Sequence, residues 1–413
     1  MIERLSDSLN SVPVDNRLQQ SLEALSEENW GWINYLWSGM LEESGMITTL
    51  TLTQRETLLQ IALSLLAQGD FEARWDLSKW LPKLGSEAIV PLLDLLADDS
   101  LDSEPRWFVV KMLGAFNCPD VILGLANLLY TTDDPDLKAI AAQSLASFGN
   151  STIQVLAGLL TSAETRWVAV KALALIPEPA VIDPLLSVLQ DPNAQMRAIA
   201  VTALGQFKET RIIPVLIQAL QDLAAIVRKE AIIALGSQVQ VINADDYLHY
   251  LTPLLRDIDL EVCQQAAIAL SRLPSPGAAT VLFEVLKSPL TPSPLKITLI
   301  QALGWLAQTE SLSYLGQALF FEVGESRLEI IRVLGRLEDT NLKTQAVQIL
   351  INFFASGHPD LDRISLRQAL AHSFGQLKLP TAIPVLQSLS LDQEKAVKLQ
   401  AIAALKKCQI RDN

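Results

Sequence analysis

The chain has 413 residues, half of them apolar and 19% charged, with a formal net charge of −14. An acidic chain repels a phosphate backbone, which argues against nucleic acid as a partner. No stretch of eighteen residues is free of polar side chains, so no transmembrane segment is expected. The acidic start MIERLSDSLNSVPVDN has no apolar core of the kind a secretory signal needs, and a cytoplasmic protein is expected. Cys118, Cys263 and Cys408 are odd in number and form no CxxC pair. They are expected to act as small buried hydrophobes, not as disulfides or zinc ligands.

The first seventy residues hold three basic side chains against ten acidic ones. The pattern predicts a helix near Arg17–Glu27, then the aromatic run NWGWINYLW over Asn29–Trp37. A second helix is predicted from about Thr53 to Ala67, with Thr53 and Glu56 in capping-box spacing. Residues 1–70 thus read as an N-terminal helical cap. Trp30, Trp32 and Trp37 would be either a lid over an open hydrophobic end or a docking surface.

From residue 71 to 413 a phrase recurs: a basic residue opens it, and Leu followed by a small residue closes it seven places later. It is clearest in Arg197–Gly205, Arg228–Gly236, Lys296–Gly304 and Arg327–Gly335. Looser copies close on Leu81, Leu113, Leu145, Leu173, Leu270, Phe374 and Leu405, which makes eleven copies in steps of 28 to 40 residues. Between the phrases lies a second helical pattern often opened by Pro, as in IIPVLIQALQD from Ile212. Pro is tolerated there because the first-turn N–H lacks an intrahelical partner anyway. Each unit is therefore a helix A, a turn and a helix B, and the fold class is an all-α, right-handed solenoid of about eleven such pairs, continuous with the cap.

On a helix-B wheel of 100° per residue the basic residue falls at the edge of the buried stripe and needs a partner. Asp191, Asp222 and Asp392 stand six residues before Arg197, Arg228 and Lys398. These carboxylates are expected to cap helix B and to meet a basic residue of the same or an adjoining unit, forming a structural ladder. Gly or Ala after the closing Leu is expected to allow close helix approach. Two intervals are long: VQVINADDYLHY lies in the one after Gly236, and NLKTQAVQILINFFASGHPDLD in the one after Gly335.

The D-x5-R…A-x-x-A-L-G pattern of Asp191–Gly205 and its copies resembles the HEAT-repeat superfamily over roughly residues 72–410. More narrowly, it resembles the short-repeat type found in phycobilisome lyases. That resemblance implies an alternative function, a phycobilin lyase or a phycobilisome assembly or degradation factor in a cyanobacterial setting. A phycobiliprotein or a second HEAT-like subunit would be its partner, and an open-chain bilin its chromophore. No catalytic residue of that group is matched one by one.

One motif departs from the generic repeat. Glu72–Lys79, Glu104–Lys111 and Glu164–Lys171 share E-x-R-W-x-x-x-K. Each Trp and Lys are i, i+4 neighbours, so the Lys is expected over the indole of its own helix. If helix B lines the concave side, Arg74, Trp75, Lys79, Arg106, Trp107, Lys111, Arg166, Trp167 and Lys171 form an aromatic and basic track. It would suit an acidic protein or a flat anionic ligand such as a tetrapyrrole. The alternative is that the indoles fill gaps between unevenly spaced units, while Trp80 is expected in the core.

Catalytic signals are poor. His249, His358 and His372 are far apart, and no G-x-S-x-G, P-loop or Gly-rich dinucleotide turn occurs. Asp133–Asp134 and Asp245–Asp246 are expected in loops as helix caps. A non-enzymatic protein-binding scaffold without metal or cofactor is the leading expectation.

Overall fold

A computed structural model describes residues 12–42, 50–98, 100–238, 242–273 and 275–409, and these contain α-helices and short 3-10 turns but no strand. The predicted all-α solenoid organisation is found. The chain divides into two compact units, residues 1–203 and 204–413.

In the first unit the helices are α1 (Val14–Ser26), α2 (Trp30–Glu42), α3 (Leu52–Gln68), α4 (Phe71–Trp80), α5 (Ile89–Ala97), α6 (Ser103–Leu113), α7 (Pro119–Thr131) and α8 (Pro135–Ser147). They continue with α9 (Asn150–Leu159), α10 (Arg166–Ala174), α11 (Ile182–Val188) and α12 (Ala194–Leu204). Each even-numbered helix from α4 to α10 packs on the odd one before it, and α4, α6, α8 and α10 also pack side by side in one row. This row is made of the B helices, and α5, α7 and α9 form the companion A row.

In the second unit the same alternation runs α13 (Ile213–Ala219), α14 (Ala225–Gly236), α15 (Ala244–Leu251), α16 (Leu260–Leu270), α17 (Pro276–Lys287) and α18 (Ser293–Leu306). It ends α19 (Thr309–Phe321), α20 (Gly324–Gly335), α21 (Thr340–Ala355), α22 (Ile364–Leu377), α23 (Ile383–Leu389) and α24 (Lys395–Gln409). Here α14, α16, α18, α20, α22 and α24 form the B row.

The physical basis is repetitive. Helix starts are fixed by acceptors: Asp70 takes the Ala73 amide at 2.8 Å, and Asp259 takes those of Glu261 and Val262. Buried side chains come from both faces of the rows; α6 alone buries Phe108, Val109, Val110, Met112 and Leu113. Each such side chain contributes about 1.5–3 kcal/mol of transfer free energy. The small residue closing the phrase is where neighbouring B helices meet. A Cβ on Gly335 would come within 2.9 Å of the Ser373 Cα, and one on Gly375 within 3.0 Å of the Ala404 Cα.

The N-terminal segment shows more order than its sequence suggests. The aromatic run is itself helical, α2, and packs beside α4, while α1 packs beside α3. The pair α1–α2 thus occupies the place of a further repeat that lacks the phrase. Trp37 is fully buried and donates its indole N–H to Ser21 Oγ at 2.9 Å, whereas Trp32 is 42% exposed and stacks on Tyr35. Asn34 joins the two helices: it donates to the Ala73 carbonyl at 2.9 Å and accepts the Trp80 indole N–H at 3.0 Å. Trp80 is core, as expected.

Two capping assignments need correction. Thr51 with Gln54 forms the capping box of α3, not Thr53 with Glu56. Asp134 caps α8, but Asp245 and Asp246 lie in the first turn of α15 behind the cap Asn243. All three cysteines are free; Cys263 and Cys408 are buried and Cys118 half-buried. No helix among the described residues is long and apolar enough to cross a membrane.

Candidate functional site

The E-x-R-W-x-x-x-K residues lie in the first unit on α4, α6 and α10, except Glu164, which stands in the turn before α10. On α4, Phe71, Trp75 and Lys79 recur every four residues and share one face. Trp75 stacks on Phe71 with centroids 6.2 Å apart and planes 17° apart. Phe71 meets the buried Phe108 of α6 edge-on at 5.4 Å, and Trp107 meets Phe108 edge-on at 5.2 Å. The four rings form an aromatic floor across two adjacent repeats, with Trp75 42% exposed at its surface.

Lys111 completes this surface, but not as the spacing predicts. Its ammonium lies 3.5 Å from the Trp75 ring centroid in the preceding repeat and 5.5 Å from that of its own Trp107. Lys79, expected over Trp75, turns to Asp76 Oδ1 at 2.6 Å. An i, i+3 carboxylate on the same helix is simply nearer than the ring, and Lys111 takes the vacated indole face. Burial first, and the Lys79 charge second, hold the Lys111 ammonium below its ordinary pKa. A cation held over indole contributes about 0.5–2 kcal/mol.

The third copy stands apart. Trp167 is 37% exposed with Lys171 at 5.5 Å from its ring. Between α6 and α10 runs α8, which shows the exposed Ala139 and Gln143 at the corresponding positions. The expected track is therefore one two-indole cluster and one separate Trp–Lys pair.

The three arginines of the motif do not join that surface. Arg74 is buried, donates to the Leu66 and Ala67 carbonyls at 2.8 and 3.2 Å, and pairs with Glu104 at 2.6 Å. Arg106 donates to the Leu96 carbonyl at 3.1 Å. Arg166 donates to Leu160 at 2.7 Å and to Asp191 Oδ2 at 3.2 Å. Each satisfies carbonyls at the end of its own helix A, groups that have no intrahelical donor. They are parts of the ladder.

That ladder runs from one repeat to the next. Asp191 accepts the Asn193 amide through Oδ1 at 2.8 Å and receives Arg166 of the preceding repeat. Asp392 accepts the Glu394 amide and receives Arg367 at 2.6 Å; Lys398 stays exposed and only adds its charge. In its own unit the basic residue takes a main-chain oxygen: Arg197 donates to Asp191 O and Arg228 to Asp222 O, both at 2.8 Å. Asp222 forms the same turn, accepting the Ala224 amide at 2.8 Å. These Asp carboxylates fold the loop two residues ahead instead of capping helix B. Arg327 pairs likewise with Asp360, which the enlarged unit supplies from the 3-10 turn Pro359–Asp362.

Phe71 and Phe108 were not singled out from the sequence, although Phe71 at i, i+4 before Trp75 carries a usable signal. No cluster of His, Cys, Asp and Glu able to hold a metal occurs among the described residues.

Comparison with known proteins agrees with this geometry. The sequence model of HEAT repeats matches residues 89–165, 160–236 and 213–292. HEAT repeats are thus found over residues 89–292. No curated protein matches it. Among solved structures, the karyopherin Kap121p bound to the extreme C-terminus of the protein phosphatase Cdc14p is 15% identical, with a TM-score of 0.53. The match covers 97% of this chain and 54% of that one, so the chain spans about half of Kap121p's length in that structure. Kap121p bound to Ste12p gives 14% identity, 97% and 54% coverage and a TM-score of 0.52. An engineered protein is 22% identical over 88% of this chain and 98% of its own, with a TM-score of 0.37. At these identities the Kap121p likeness is one of fold. Over residues 89–292 the HEAT repeats account for the ladder and the two rows; the Trp75–Lys111 surface is carried by only some of the units.

Proposed function

We propose that the protein is a non-enzymatic scaffold that holds another protein on the B row of its first unit. The observation that carries this reading is the Lys111 ammonium seated on the exposed Trp75 indole, above a floor of Phe71, Trp107 and Phe108. Exposed indoles fixed by neighbours lose little entropy on binding, and Trp is enriched among residues that dominate interface energy. The fitting partner segment presents an apolar or aromatic side chain to the indoles and a carboxylate to Lys111. HEAT solenoids commonly hold proteins, and Kap121p is seen holding a protein C-terminus; that analogy of fold supports the class of partner only.

A second reading rests on the same ring and ammonium. A flat anionic ligand such as an open-chain tetrapyrrole would stack on Trp75 and pair with Lys111, as the lyase resemblance implies. The two separate cleanly. Affinity capture with the full chain, compared with Trp75→Ala and Trp107→Ala, is expected to lose one stoichiometric protein in the variants. Capture unaffected by both substitutions overturns the scaffold reading at this surface. Co-expression with a bilin source that yields a coloured protein supports the tetrapyrrole instead.

A further inference from the structure

Charge is unevenly divided along the chain. Residues 1–326 hold 20 basic and 38 acidic side chains, net −18, whereas residues 327–413 hold 12 and 8, net +4. Within that last stretch the C-terminal ends of α20 and α22, with the segments that follow them, wall a cavity of about 940 Å³. Arg336, Lys343, His372 and Lys378 line it, and Glu338 is the one carboxylate residue of the lining.

Its cations differ in availability. Arg332, at the cavity edge, is taken up by Glu325 at 2.5 Å and Glu329 at 3.5 Å. Arg336 reaches Glu329 only at 3.8 Å and stays 68% exposed. Neither Lys343 nor Lys378 has an ion-pair partner among the described residues. The His372 ring lies between the side-chain amides of Gln376 and Gln400, at 3.3 and 3.0 Å.

Lys378 has a backbone conformation that makes it a useful position for a test. It ends α22 in the left-handed region, φ 55°, where glycine is the residue that fits without strain. Ala307 ends α18 in the same region at φ 48°, so the conformation belongs to these helix ends, and glycine at 378 would keep it without the lysine side chain. The start of α21 is not the attraction, because Asp339 already accepts the Asn341 and Leu342 amides there.

We propose that this cavity binds a phosphate group, held by Arg336, Lys343 and Lys378, either as a small free phosphate compound or displayed on a polypeptide. A phosphate monoester carries nearly two negative charges at neutral pH and three acceptor oxygens, which three separate cations can satisfy together. A single carboxylate would leave at least one of the lysines uncompensated. The site is independent of the tryptophan surface, so either can fail alone.

Isothermal titration of the full chain at low salt tests it, with inorganic pyrophosphate, a phosphoserine peptide and the same peptide unphosphorylated. At least one phosphate-bearing probe is expected to bind with a Kd below about 100 µM. Lys343→Gln and Lys378→Gly should each weaken that binding by about tenfold. Lys378→Gly should do so with an unchanged or raised Tm, since glycine relieves the strained φ; a merely structural lysine could not combine those two results. Binding of pyrophosphate identifies a small-molecule site, and binding of the phosphopeptide alone identifies a displayed phosphate. Absence of binding up to about 1 mM, equal binding of the unphosphorylated peptide, or unaltered affinity in both variants overturns the proposal.

Discussion

Arg228 of one repeat closes on Asp257 of the next through two nitrogens, Nε to Oδ2 at 2.8 Å and Nη2 to Oδ1 at 2.5 Å. Both side chains are about nine-tenths buried. Asp257 also folds its own loop by accepting the Asp259 amide at 2.9 Å. One carboxylate therefore sets a turn and ties two repeats together. The following repeat shows the converse. Cys263 stands where other units have Arg or Lys, and its thiol donates to the Asp257 carbonyl at 3.2 Å, the main-chain contact that Arg228 makes with Asp222. With no cation to reach onward, the next A–B turn, Ser288–Pro292, contains no acid.

Removing one member of such a pair strands the other in a poorly solvated place. Asp257→Ala is expected to destabilise the chain by about 3 kcal/mol, the usual cost of breaking a buried ion pair from one side. Urea unfolding followed by circular dichroism measures this. Arg228→Ala should cost a similar amount, and the double variant less than the sum. Additive losses would show that the two do not act as a pair.

The pair also predicts acid sensitivity. Burial raises the Asp257 carboxyl, but the Arg228 hydrogen bond, the Asp259 amide and the guanidinium charge outweigh it, and the net shift is downward. For Asp392 burial is likewise outweighed by Arg367, the Glu394 amide and the Lys398 charge. A carboxyl whose folded pKa lies below the unfolded value stabilises fully above the unfolded pKa and loses that contribution as pH falls through the folded one. Stability should therefore hold near neutrality and decline below about pH 4. Asp257→Asn should flatten that decline in urea midpoints taken across the acid range.

The closing glycines divide into two kinds. Gly335→Ala places a methyl group 2.9 Å from the Ser373 Cα, a backbone atom that cannot step aside, and should cost about 1–3 kcal/mol. Gly236 is also the last residue of its helix, but a Cβ there meets only the Tyr247 hydroxyl at an ordinary 3.5 Å. Gly236→Ala should be neutral or stabilising by up to about 1 kcal/mol. Paired thermal melts decide this, and equal losses in both would refute the close-approach argument.

How far the sequence could be read follows from range. The B row was legible because the cation and the Leu–Gly close lie within eight residues, and helical periodicity does the rest. The carboxylate partners are legible only in part: pairing with an adjoining unit is one of the alternatives expected for Asp191 and Asp392, Asp257 and Asp360 carry no such mark, and all four lie 25 to 33 residues beyond Arg166, Arg228, Arg327 and Arg367. The placement of Lys111 over Trp75 depends on packing between repeats, and only the i, i+4 alternative shows in one helix. Helix α1 is legible near Arg17–Glu27, but α2 and the pair's likeness to a repeat are not, because the pair follows the architecture without the phrase; its helices are held by Asn34, Ser21 and Arg17 instead, with Arg17 buried and donating to the Leu36 carbonyl at 3.0 Å.

Trp75 and Trp80 sit five residues apart on α4 and should behave oppositely. Trp80 is 1% exposed and hydrogen-bonded to Asn34, so Trp80→Ala should cost about 3–5 kcal/mol of stability. Trp75 is 42% exposed and supports Phe71 and the Lys111 ammonium. Trp75→Ala should cost about 1 kcal/mol of stability while lowering partner affinity by about 2 kcal/mol, roughly thirtyfold. Trp107→Ala should resemble it in binding, whereas Trp167→Ala, beyond the gap left by Ala139 and Gln143, should have a much smaller effect. Chemical denaturation and titration of the captured partner give both readouts on the same samples. Equal losses of affinity at all three tryptophans would restore the continuous track, and none at Trp75 or Trp107 would leave their indoles as packing alone.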